Sequence, residues 1–188
     1  MIFTNKSRAG ALMVIGAVWL LMGIIVSEAL FPGYTVTKMI SDLGVGSTAT
    51  IYNSSIFGLG LLFIASAYLL HTVGTNRGFI ILLALAGLGA AGVGIFPETV
   101  VVPHTICAMT TFICGGLCAL VGFRIFSGPW SWFSPALGII TLVALVLLGA
   151  KVYLGLSAGG VERMIAYPII IWASGTGAYL MAPESKGT

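Results

Sequence analysis

The chain has 188 residues, of which 59% are hydrophobic and only 7% charged, with a formal net charge of +3. Soluble domains carry about 25% charged residues; here several apolar runs reach the roughly 20 residues that cross about 30 Å of hydrocarbon, which excludes an ordinary soluble core. The few basic residues are scattered and carry no nucleic-acid signal.

Lys6 and Arg8 precede the first apolar run, residues 9–30. That run is longer than the roughly 7–15 apolar residues of a signal-peptide core, so it is read as an uncleaved first helix. Phe31, Pro32 and Gly33 stop it.

The next stretch, VTKMISDLGVG at 36–46, places Val36, Met39, Ile40 and Leu43 at i, i+3, i+4 and i+7. This spacing predicts a short amphipathic helix in the first outer loop, with Lys38, Ser41 and Asp42 on its solvated side. Gly44 and Gly46 stand where a left-handed cap would end it.

A second span follows at 51–70 and a third at 78–96. The third holds the four-apart pairs Gly87/Ala91 and Ala90/Gly94, small surfaces that let helices approach closely in lipid. It is expected at the middle of the bundle.

The loop from Pro97 to His104 leads to a fourth span, 105–123, in which Cys107, Cys114 and Cys118 share one face. They read as packing residues rather than disulfides or ligands. Arg124, Trp130, Trp132 and Phe133 mark an interface before the fifth span, 136–154, whose last turn holds Lys151. Glu162 and Arg163 open the sixth, 164–180, which contains Pro168. The fold class is therefore all-α: a polytopic six-transmembrane-helix bundle forming a single domain over residues 1–188. A weak echo, LFPGYTV after the first helix and IFPETVV after the third, is read as repeated use of Phe-Pro to stop a helix rather than as a duplication.

Six spans put both termini on one side. Lys6, Arg8, Arg77, Arg124 and Lys186 fall there, five against the three of Lys38, Lys151 and Arg163 opposite. The bias favours cytoplasmic termini in the cell membrane. Of the acidic residues, Glu28, Asp42, Glu98 and Glu162 fall on the outer side and Glu184 on the terminal side.

The residues able to carry chemistry are thus Glu28, Lys38, Ser41, Asp42, Glu98, His104, Lys151, Glu162 and Arg163, and ionisable groups at membrane depth point to a site by default. Asp42 has a structural reading too, pairing with Lys38 on its own helix or with Arg163 or Lys151 in the bundle. His104 beside Glu98 has the chemistry of a general base. A zinc site draws on three or four ligands rich in His or Cys, yet His71 falls at the other end and the cysteines lie deeper. No metal and no cofactor is expected. Ser41 and Asp42, adjacent on a helix, point about 100° apart and make no triad.

The segments ISDLG (40–44), GIFPE (94–98) and PHT (103–105) resemble a family of small six-helix membrane proteins of unknown function in archaea and bacteria. They are distantly similar to the Frag/DRAM/Sfk family, which carries a comparable I-S-D element in its first outer loop. The resemblance implies six helices and points to Ser41, Asp42, Glu98 and His104, and it implies no reaction.

Two readings of function remain. In the first, a non-catalytic bundle binds membrane lipid, a membrane-protein partner or a second copy of itself. In the second, an intramembrane enzyme or small-molecule binder uses Asp42, Glu98 and His104 in an outer-leaflet pocket, with Lys151 or Arg163 holding an anionic headgroup. A transporter has less support, because the spans show no matched pair of interrupted helices.

Overall fold

In the computed structural model, residues 4–183 are described. Glu184 and Lys186 of the charge balance lie outside them. The helices are α1 (Asn5–Leu30), α2 (Ala49–Thr72), α3 (Arg77–Ile95), α4 (Val101–Val121), α5 (Trp130–Gly149) and α6 (Ser157–Met181). All six are long and apolar enough to cross a membrane, and the described residues hold no strand. The molecule is an all-helical integral membrane protein.

The helix ends follow local chemistry. Thr4 Oγ1 accepts from the Ser7 amide at 3.2 Å and Asn76 Oδ1 from the Phe79 amide at 3.1 Å, opening α1 and α3. The two Phe-Pro pairs close helices: the amides of Phe31 and Phe96 make the last bonds, to Ser27 O and Gly92 O, and the prolines that follow cannot extend them. Pro103 sits in the first turn of α4, where its missing N–H costs no intrahelical bond.

Two helices end in the same way with different residues. After α2, Thr75 N bonds Leu70 O and Gly74 N bonds His71 O, with Gly74 left-handed at φ +73°. After α5, Val152 N bonds Leu147 O and Lys151 N bonds Leu148 O, with Lys151 at φ +59°. Lys151 is thus not in the last turn of the fifth helix as expected; it follows the helix as its left-handed cap and is exposed.

Successive helices are neighbours, and α6 returns to pack on α1, so the six form a closed ring in which α6 also touches α4. Close approaches between helix backbones hold the seams. A Cβ on Gly60 would lie 2.5 Å from Gly87 O, one on Gly138 2.6 Å from Gly116 O, and one on Gly10 2.5 Å from Gly177 O. Hydroxyls bridge seams as well: Ser66 donates to Ala9 O (3.1 Å), Ser134 to Ala119 O (2.6 Å) and Thr141 to Ile165 O (3.2 Å). Such bonds contribute about 0.6 kcal/mol each in lipid. The last falls beside Pro168, through which α6 runs unbroken.

The small-residue helix α3 is not central. It uses Gly87, Ala91 and Gly94 against α2, and Gly89 and Gly92 against Thr111 and Cys107 of α4. Its glycines serve two flanking seams, while the interior is filled by large side chains such as Phe63, Phe79 and Trp172. Cys107, Cys114 and Cys118 are free; Cys118 is buried with its thiol 3.4 Å from Phe79 O.

Candidate functional site

The end of the bundle away from the termini is covered by residues 31–48, and their path departs from the amphipathic helix expected there. Only Ser41–Gly44 is helical, as a single 3-10 turn. The carbonyls that a helix from Val36 would use internally are bonded elsewhere. Val36 O and Lys38 O accept from Arg163 Nη1 at 2.9 and 3.0 Å, Thr37 O from the Gly159 amide at 3.2 Å and Ser157 Oγ at 3.0 Å, and Met39 O from the Tyr34 hydroxyl at 2.9 Å. Partners on α6, with Tyr34 of the loop, thus outcompete the local helix.

Part of the expected stripe survives: Ile40 and Leu43 are buried, but Val36 is exposed, and Ser41, expected on the solvated side, is buried. Gly46 is left-handed at φ +87°, whereas Gly44 lies within the 3-10 turn against Asn53 and Tyr52.

Arg163 is the clasp. It sits inside α6 rather than at its start, with a side chain 11% exposed, and forms an ion pair with Glu28 of α1. Its other donors reach Tyr34 Oη (2.8 Å), Val36 O, Lys38 O and Gly159 O. Both terminal nitrogens, Nη1 and Nη2, are thus committed to acceptors within the protein. Burial pushes the Tyr34 phenol above its ordinary value of 10.0, with the Arg163 hydrogen bond opposing the shift. The hydroxyl therefore stays protonated and donates to Met39 O.

Asp42 makes neither expected ion-pair anchor: Arg163 is held by Glu28, Lys151 lies beyond α5, and Asp42 Oδ2 accepts from the Met39 amide at 3.0 Å, closing the turn locally. With no helix between them, Lys38 and Asp42 also lose the i, i+4 pairing geometry. They line an open groove with Phe31, Glu98 and Thr99.

Beside it, between the loop, α4 and α5, lies a cavity of about 310 Å³. Its polar wall is Ser41, Glu98, His104 and Glu162, and its apolar wall includes Ala108, Phe112, Leu145 and Leu148. The structure therefore brings Ser41, Glu98 and His104 together, places Asp42 across Glu98 in the neighbouring groove, and leaves Lys151 and Arg163 outside both. Glu98 faces both hollows.

His104 Nδ1 lies 2.9 Å from Phe96 O. A carbonyl only accepts, so Nδ1 carries a proton, and in a neutral ring Nε2 is then an acceptor. Glu162 is 7% exposed, accepts from the Ile40 amide, and meets the Ser41 amide and hydroxyl. It also lines a small apolar void at the centre of the ring. Glu162 is the member of the cavity that its sequence position hides: read as the opening of a helix, it is one and a half turns inside α6, facing the interior. Its signal was a carboxylate beside Arg163 in a chain with few charges. Glu98 Oε2 is buried and has no hydrogen-bond partner.

A family described as "Protein of unknown function (DUF998)" matches residues 14–179. The chain belongs to that family. All six helices and both hollows lie within or at the margins of the matched DUF998 region. No curated protein and no solved structure matches the chain. The membership accords with the resemblance to six-helix membrane proteins of unknown function, and this DUF998 protein is an integral membrane protein of unknown activity.

Proposed function

We propose that the protein is a non-catalytic binder of a membrane amphiphile, taken up between α4 and α5 with its polar end at Ser41, Glu98, His104 and Glu162. The observation that carries this reading is the two-sided cavity of about 310 Å³, polar toward the loop and apolar along the helices. An enzyme using Asp42, Glu98 and His104 has less support, because those side chains divide between two hollows. The test is native mass spectrometry of protein purified from membranes. Wild type should retain lipid, and Ala108→Trp, which fills the apolar wall, should lose it with little change in melting midpoint. Equal retention by a folded Ala108→Trp would sink the cavity as the site.

The membrane we assign is the cell membrane, with cytoplasmic termini and the cavity in the outer leaflet, on the basic-residue bias. In a background without Cys107, Cys114 and Cys118, an impermeant thiol reagent added to intact cells should label a cysteine at Lys151 and spare one at Arg77. The reverse pattern would invert the assignment. We carry the likeness of ISDLG to the Frag/DRAM/Sfk family as part of the same reading.

A further inference from the structure

We propose that the amphiphile bound in this cavity bears an ammonium headgroup, held by Glu98, and this inference rests on the lipid-binding reading above. The polar inventory of the cavity is almost entirely of acceptors. Glu162 and Glu98 are carboxylates, His104 has spent its Nδ1 proton on Phe96 O, and the Ser41 hydroxyl is directed at Glu162. A ligand that satisfies such a wall must donate hydrogen bonds.

Charge narrows the class further. Glu162 already receives the Ile40 amide and the Ser41 donors, whereas Glu98 lines both hollows and its buried Oε2 has no protein donor. A carboxylate with one oxygen buried and unpartnered is costly, and a cation with several N–H groups on its cavity-facing side offsets that charge best. An anionic end would meet the unpaired Glu98 carboxylate.

Glu98 also forms the wall shared with the open groove, where Lys38 lies beside Phe31 with its Nζ 5.8 Å from the ring centroid. A headgroup whose ammonium sits on Glu98 can therefore set a neighbouring phosphate on the Lys38 side. The arrangement fits a zwitterionic amine phospholipid with its acyl chains along Phe112, Leu145 and Leu148.

The experiment is competition in native mass spectrometry, with delipidated protein offered phosphatidylethanolamine, its N-acetylated form and phosphatidylglycerol, all with the same chains. Wild type should retain phosphatidylethanolamine at least about tenfold over the other two, about 1.4 kcal/mol of preference. Glu98→Gln should retain all three alike. Equal retention of the three lipids by wild type, or an unchanged preference in Glu98→Gln, would overturn the ammonium assignment and leave the cavity standing. Retention of none by wild type would overturn the lipid-binding reading itself. Preference for phosphatidylglycerol would instead make the ligand a polyol and refute the proposal. The N-acetyl comparison uses only wild type, so the assignment is decided even if Glu98→Gln does not fold.

Discussion

Arg163 shows how one side chain can set the shape of a whole surface. It joins α1 through Glu28, the loop through Val36, Lys38 and Tyr34, and its own helix through Gly159. Removing the guanidinium leaves Glu28 and two loop carbonyls without their donor at a site that is mostly buried. We expect Arg163→Met to cost about 3 kcal/mol, the lower end for breaking a buried ion pair, read from the unfolding midpoint in detergent. A midpoint equal to wild type would mean that the loop is held without it. In the sequence Arg163 is visible only as a charge at a helix start, because its partners in the loop and α1 lie 125 to 135 residues away and no local pattern encodes them. Glu98 and His104, in contrast, were legible from the FPE and PH segments, since prolines there force the chain out of one helix and into the next.

At the scale of elements, packing between α2 and α3 depends on the absence of side chains. A Cβ on Gly60 would strike the Ala91 amide and lie 2.5 Å from Gly87 O, both backbone atoms that cannot swing away. One on Gly115 would lie 3.5 Å from the nearest atom of Ile169, an ordinary contact. Gly60→Ala should therefore lower stability by about 2 kcal/mol through overpacking. Gly115→Ala should be neutral or stabilise by up to about 0.5 kcal/mol through helix propensity. Thermal unfolding of the pair decides it, and equal midpoints would remove close backbone approach as the basis of this seam.

The loop makes the opposite point. Its period of apolar residues predicts a helix, and the structure refuses all but one turn because Gly159, Ser157 and Arg163 of α6 take the carbonyls. Gly159 is what lets the strand of loop lie so close, since a Cβ there would meet Thr37 O at 2.7 Å and Lys38 O closer still.

For the molecule as a whole, the number of spans, their approximate limits and the gathering of acidic residues at one end follow from the sequence by itself. They depend on local quantities: how many apolar residues run together, where proline and glycine interrupt them, and which runs carry charge. The closed order of the ring, the position of α3 between two neighbours, the pairing of Arg163 with Glu28 and the turn of Glu162 into a cavity were decided only by the tertiary structure. In lipid an apolar face carries little information about which helix it meets, because the tails are as apolar as leucine. Close fit between small residues and a few long-range polar bonds make that choice, and both come into being only when distant parts of the chain are brought together.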